Sequence, residues 1–260
     1  IRREAGSLGI MQIDTESTIT RFAEKPGDTS ALDSLRIPNR EDERYLASMG
    51  IYIFNTKVLW KLLENSDQSD FGKHIIPEAI RTQRVGAYVF DGYWKDIGTI
   101  RSFWEANLEL ADPNPPFTFY DPRLPIYTHM RYLPPSKINC CDLNRCLLSE
   151  GCIISGHRIL HSIVGIRAVI GEGTVIEHSV IMGADTFERD APVEGAVVPM
   201  GIGRDCFIRN AIIDKNARIG DGVYLTPDGK PDNTVTPNYT VRDGIIVVPK
   251  NAVIPAGTRI

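Results

Sequence analysis

The apolar residues of the second half of the chain keep a six-residue beat. Ile163, Val169, Val175 and Ile181 fall six apart, Val164, Ile170, Ile176 and Met182 repeat the register one place on, and Gly165, Gly171 and Gly183 follow. The same beat runs through Leu147, Ile153 and Ile159, through Ile202 and Ile208, through Ile213 and Ile219, and through Val247 and Val253. Such a period belongs neither to an α-helix nor to a simple alternating strand. Apolar positions at a fixed short interval, interleaved with glycines and small polar residues, predict a parallel β-helix in which each coil buries the same inward position on the coil below. The beat slips between Ile159 and Ile163 and again from Asp185 to Met200, which predicts loops leaving the coil. A stretch rich in Pro, Asp, Asn and Thr, residues 226–243, predicts a third excursion.

The first half reads differently. Residues 8–14 and 18–23 predict two short strands joined by the polar turn Thr15-Glu16-Ser17, the second ending in a loop at Phe22-Ala23-Glu24-Lys25-Pro26. Residues 49–54 predict a strand, and Asn55 or Thr56 can cap a helix through Val58, Leu59, Leu62 and Leu63. A second helical pattern spans residues 71–84, and residues 85–90 return to strand. Alternating strands and helices predict an α/β layer. After Asp96-Ile97-Gly98-Thr99 comes another helix, carried by Ile100, Phe103, Trp104 and Leu108 and stopped by Pro113.

Seven of the 17 prolines lie between Pro113 and Pro135, together with Phe117, Phe119, Tyr120, Tyr127 and Tyr132. Proline rules out regular ladders, and the aromatics need surfaces to cover, so this stretch is expected to be a linker packed against both domains. The expected organisation is an α/β domain at residues 1–112, the linker at 113–137 and the solenoid at 138–260. The opening Ile1-Arg2-Arg3-Glu4-Ala5 lacks a methionine and looks like a cut from a longer chain.

Bulk properties narrow the function. The 260 residues hold 29 Lys plus Arg against 33 Asp plus Glu, a net charge of -4, so no basic field points to nucleic acid. No apolar stretch predicts a membrane span or a secretion signal, and a cytoplasmic or plastid location is expected. The five cysteines lack paired zinc spacing and are expected to be reduced thiols.

Two constellations can carry chemistry. Glu24-Lys25-Pro26, at a strand exit, fixes an ammonium suited to a phosphate beside a carboxylate suited to hydroxyls; a solvated charge pair is the plain alternative. Tyr93-Trp94-Lys95-Asp96-Ile97-Gly98-Thr99 places a carboxylate at a strand-to-helix turn, where open α/β sheets bind ligands and where magnesium finds hard oxygen donors. Asp96 could equally cap the following helix. His157, His161 and His178 lie in the solenoid, where a hexad acyltransferase would need a base, but nothing in the sequence assembles an acyl-carrier pocket around them.

The ordered set FAEKP, LASMGIYIF, DFGKHIIPEAI and YWKDIGTI, continued by Phe119-Tyr120-Asp121-Pro122 and Arg131-Tyr132-Leu133-Pro134-Pro135, resembles the ADP-glucose pyrophosphorylases, or glucose-1-phosphate adenylyltransferases. The likeness extends into the hexads, through Ile163-Val164-Gly165-Ile166-Arg167 and Met182-Gly183-Ala184-Asp185. It implies a partial, Rossmann-like nucleotidyltransferase domain followed by a left-handed parallel β-helix of hexapeptide repeats. It further implies that Lys25 binds the phosphate of glucose 1-phosphate, that Glu24, Ser48 and Gly50 contact the sugar, and that Asp96 is one of two aspartates holding Mg2+.

The family's glycine-rich ATP loop and its other metal aspartate are expected upstream of Ile1, so the chain as written is expected to be inactive alone. The repeated Lys-Asn-Ala triplets at Lys215 and Lys250, with Arg167, are implied to bind a phosphorylated activator resembling 3-phosphoglycerate, and phosphate. A homo- or heterotetramer is the implied assembly. A non-catalytic regulatory subunit or pyrophosphorylase-like homologue, and a hexapeptide-repeat acyltransferase, remain as alternatives.

Overall fold

A computed structural model describes residues 2–27, 30–37, 44–64, 70–188 and 198–260. The chain divides into two compact units, one up to Trp94 and one from Lys95 to Ile260.

In the first unit β1 (Gly9–Ile13) and β2 (Ile19–Glu24) form the expected antiparallel pair, with Gly9 opposite Glu24 and Ile10 opposite Ala23. The turn between them closes because the Asp14 carboxylate accepts the backbone N–H of Glu16 at 2.9 Å and of Thr18 at 2.8 Å. A two-residue strand, β3 (Leu46–Ala47), pairs with the other edge of β1. Two short helices, α1 (Arg2–Ala5) and α2 (Ser30–Asp33), bring Ala5 and Leu32 together with Leu35 over Ile10 in a small core. Helix α3 (Thr56–Glu64) begins where the Asn55 side chain accepts the N–H of Lys57 at 3.0 Å. The pattern at 71–84 resolves into a π-helical turn, Phe71–Ile75, running into α4 (Ile76–Thr82).

Two expected strands differ. Residues 49–54 form no ladder among the described residues, and Ile51 and Ile53 are exposed. Of residues 85–90 only the start is tied, Ile19 donating to Val85 at 2.8 Å and Ala87 to Ser17 at 2.7 Å. Alternating apolar residues report a preference for extended backbone, whereas a strand also needs a neighbour whose N–H and C=O groups are in register.

The second unit opens with α5 (Ile100–Glu109). Phe103, Trp104 and Leu108 pack on Val180, Ile212 and Ile245 of the solenoid wall, and the Trp104 indole donates to the His178 carbonyl at 2.9 Å. Residues 110–136 carry no helix or strand. Their aromatics do not cover a surface as expected: Tyr120, Tyr127 and Tyr132 are 81%, 91% and 88% exposed. The seven prolines lack the N–H groups that a regular ladder would need to tie the segment against a neighbour.

The solenoid has three walls of parallel strands. One stacks Lys137–Ile138, Ile153–Ile154, Val169–Ile170, Gly201–Ile202, Arg218–Ile219 and Val253–Ile254. Asp142–Leu148 and Arg158–Val164 each turn a corner and contribute to both other walls. One of these continues through Val175–Glu177, Phe207–Arg209 and Tyr224–Leu225, and the other through Val180–Ile181, Ala211–Ile213 and Ile245–Val248. The inward column contains Ile154, Ile159, Val164, Ile170, Ile176, Ile181, Ile202, Ile208, Ile213, Ile219 and Leu225, all buried.

The inward step is five residues from Ile159 to Val164, from Ile176 to Ile181 and from Ile208 to Ile213, as it is from Ile154 to Ile159, and six through Val164, Ile170 and Ile176 and through Ile213, Ile219 and Leu225; Ile181, not Met182, continues the Val164, Ile170, Ile176 column. The short corner is possible because one residue there adopts left-handed backbone: His161 at φ 43°, His178 at 46° and Asn210 at 51°. The slip after Ile159 is this tight corner rather than a departing loop. Buried hydroxyls satisfy the corner amides, Ser162 Oγ accepting from Ser179 N at 3.1 Å and Ser179 Oγ from Ala211 N at 3.2 Å. The excursion at 226–243 returns through Thr240–Arg242, antiparallel to Ile245–Val248. All five cysteines are free, and burial pushes the thiols of Cys152 and Cys206 up, leaving them as packing groups. Among the described residues, no helix is long and apolar enough to cross a membrane.

Candidate functional site

In the first unit the sheet register gathers the residues expected to contact the sugar. Glu24 ends β2 opposite Gly9, and the Gly9 carbonyl accepts the N–H of Ser48 at 2.7 Å, so Glu24, Gly9 and Ser48 form one row across three strands. The Ser48 hydroxyl lies 3.1 Å from the Tyr52 hydroxyl and accepts the N–H of Gly50 at 3.3 Å, which closes a tight turn after the row. Tyr52 stacks on Phe71 at 6.2 Å, and Phe71 begins the π-helical turn, whose start Asp70 caps by accepting Lys73 N at 2.9 Å.

That turn brings Gly72 against Glu24. A Cβ on Gly72 would lie 2.6 Å from the Glu24 carboxylate, and one on Gly9 would lie 2.8 Å from it. At both positions a side chain would displace the Glu24 carboxylate from the place it holds. Gly9, Gly72 and Tyr52 are site walls that the sequence reading missed. The signal was available for Gly72, inside the quoted DFGK motif, but its proximity to Glu24 depends on tertiary packing.

Lys25 follows directly and is exposed, with left-handed backbone at φ 47° and its N–H donating to Leu8 at 3.1 Å. Neither a lysine nor a residue preceding proline favours that region, so the turn off β2 holds Lys25 against local preference. Its ammonium makes no ion pair among the described residues. Glu24, Lys25, Ser48 and Gly50 thus share the β2–β1–β3 end of the first unit.

Asp96 belongs to the second unit. The alternative that it caps the following helix fails, because Thr99 does so: its hydroxyl accepts the N–H of Ser102 at 3.1 Å while Ser102 Oγ accepts the N–H of Thr99 at 3.1 Å. Asp96 is exposed and has no hydrogen-bond or ion-pair partner among the described residues. Its carboxylate is thus a hard-oxygen donor with no structural duty, which fits magnesium's use of one or two carboxylates with substrate phosphates. No group of three or more His, Cys, Asp or Glu side chains gathers as a metal cluster among the described residues.

The solenoid cations form a second constellation. Lys215 Nζ lies 3.1 Å from Asp185 Oδ1, and Lys250 Nζ 2.6 Å from Asp185 Oδ2. Lys250 and then Lys215, with a hydrogen bond from Asn216, hold the Asp185 carboxyl far below the usual carboxylate range, and Asp185 in turn raises Lys250. Arg167 donates to the Ala184 carbonyl at 3.3 Å and lies 5.6 Å over the Phe187 ring. All three expected regulatory residues therefore meet the segment from Ala184 to Phe187.

Of the solenoid histidines, His161 and His178 pack against each other and His161 against the end of α5. His161 Nε2 is 3.1 Å from the Leu108 carbonyl and 3.2 Å from Asp112, at the end of α5, and its ring meets His178 edge to face at 5.4 Å.

Two family models match the chain. Residues 1–113 match the nucleotidyl transferase model, and residues 131–259 match the GLGC left-handed parallel beta-helix domain. The chain is thus a nucleotidyltransferase domain followed by a left-handed β-helix. That succession matches the architecture of the ADP-glucose pyrophosphorylases.

Proposed function

We propose that the protein joins ATP and glucose 1-phosphate to give ADP-glucose and pyrophosphate, under control of a phosphorylated anion. The observation that carries the first part is the Glu24–Gly9–Ser48 row with Lys25 held in left-handed backbone at its end. A carboxylate, a serine hydroxyl and an open turn at Gly50 suit sugar hydroxyls, and the adjacent ammonium suits the sugar phosphate.

In the reaction a phosphate oxygen of glucose 1-phosphate attacks the α-phosphorus of ATP, and the bond to the bridging oxygen breaks to release pyrophosphate. No proton transfer and no protein nucleophile are needed, so the work of the chain is positioning and charge compensation. Lys25 offsets the repulsion between the two anions and fixes the attacking phosphate. Glu24 and Ser48 orient the sugar, with Gly9 and Gly72 leaving room for the Glu24 carboxylate. Asp96 would help hold the magnesium that the family implies, an ion that draws charge off the phosphates when bound. In the solenoid, Lys215 and Lys250, with Arg167 beside them, supply convergent cations for the regulatory anion.

The test is pyrophosphate release by the intact protein, wild type against Lys25→Ala. Losing a hydrogen bond to a charged group raises the KM for glucose 1-phosphate about ten- to a hundredfold, with the KM for ATP little changed. An unaltered KM for the sugar phosphate would remove Lys25 from the site.

A further inference from the structure

Lys215 and Lys250, proposed as an anion site, already engage an anion of the chain itself. Both oxygens of Asp185 are used, one on each ammonium, at 3.1 and 2.6 Å. Asn216 clamps the same residue twice, its Nδ2 donating to Asp185 Oδ2 at 3.0 Å and its Oδ1 accepting the Asp185 N–H at 2.8 Å. Two ammoniums converging on two oxygens of one planar anion is also how a phosphate would be held.

The charge balance matters as much as the geometry. Asp214 adjoins the pair, accepting the Lys215 N–H at 2.6 Å through Oδ1 and acting on Lys250 through space. With Asp185 seated, the charges of the two lysines are matched by the carboxylates of Asp185 and Asp214, and of the expected cations only Arg167, bound to the Ala184 carbonyl, keeps an unmatched charge among the described residues. The side chains of Lys215, Asp185 and Lys250 are 34%, 39% and 49% exposed, so these ion pairs are water-screened and exchangeable.

We propose that Asp185 is a tethered counter-ion of the Lys215–Lys250 site, holding the position that an incoming phosphate group takes, so that anion binding is an exchange that frees the Ala184–Phe187 segment from the two lysines. The proposal rests on the anion-site reading and adds to it a built-in competitor. A site filled by its own tether for nine-tenths of the time binds an outside ligand about tenfold more weakly than the bare site.

The experiment is calorimetric titration of the intact protein with inorganic phosphate at fixed ionic strength. Asp185→Asn keeps the side-chain shape and removes the competing charge, and it is expected to bind phosphate about tenfold more tightly than wild type. The double variant Lys215→Gln with Lys250→Gln is expected to lose that binding. If the double variant binds normally, the anion-site reading itself fails. If it loses binding while Asp185→Asn binds no better than wild type, Asp185 is scaffold and the exchange is overturned. A measurement on the unmodified protein guards against a variant that does not fold: deuterium uptake across Ala184–Phe187 is expected to rise in phosphate relative to chloride of equal ionic strength. Uptake that stays constant or falls would count equally against the exchange.

Discussion

At the scale of single residues, close approach and backbone strain mark the sites better than residue type does. Glu24 is placed by what its neighbours lack: Gly9 and Gly72 have no side chain where its carboxylate sits. Gly72→Ala puts a methyl carbon at 2.6 Å from that carboxylate, so the KM for glucose 1-phosphate is expected to rise about tenfold with turnover changed less, as measured by initial rates.

The corner residue His178 gives a prediction in pH. Burial, then the neighbouring His161, lowers its pKa below the ordinary value of 6.5, with Arg145 and Arg209 acting in the same sense and Glu177 opposing. The unfolded chain therefore binds the proton more readily than the folded one. The stability held by neutral His178 is full above about pH 6.5 and is lost as pH falls toward the lowered value. Asn210 occupies the equivalent corner of a neighbouring coil with φ 51°, so His178→Asn keeps the left-handed backbone and removes the titration. The fall of Tm between about pH 7.5 and 5 is expected to be shallower in that variant.

At the scale of elements, α5 is the connection between the Asp96 turn and the solenoid wall. Its first turn is closed by Thr99 and Ser102, and its apolar face lies on Val180, Ile212 and Ile245, outward residues of three successive strands. The strands carrying Ile212 and Ile245 run on into the corners of Lys215 and Lys250, so α5 and the cation site share the same pieces of backbone. Two neighbouring positions separate structure from chemistry. Thr99→Ala loses the cap and is expected to cost about 1 kcal/mol of stability with turnover retained. Asp96→Asn is expected to leave the melting curve in place and to cut turnover at least about tenfold, read by pyrophosphate release with magnesium supplied.

Helix positions were legible in the sequence because an apolar stripe with a start signal is a local pattern, as at Asn55 and α3. The strand at 49–54 was not, because pairing depends on a neighbour and apolar alternation cannot supply one. The exposed rings of residues 117–132 differ from expectation for a related reason. An aromatic side chain favours burial, but a surface must come within its reach, and prolines lack the N–H groups that a ladder would need to bring one there.

At the scale of the whole molecule, the solenoid is a stack in which each coil leans on its neighbours, so the inward column can be tested one residue at a time. Ile170→Ala, in that column, is expected to cost about 2–5 kcal/mol in chemical denaturation. Val169→Ala, its outward neighbour, is expected to cost less than about 1 kcal/mol. Equal losses at the two positions would contradict the register.

The amino-acid sequence by itself determined the succession of an α/β segment and a β-helix, the β1–β2 hairpin, the helices α3, α4 and α5 and the identity of the charged motifs, because each is written in neighbouring residues or in a short repeat. Tertiary structure alone decided that Gly72 faces Glu24 and that Asp185 sits between Lys215 and Lys250. These last depend on which strand lies beside which and in what register, and residues thirty or more positions apart meet only once the coils have stacked.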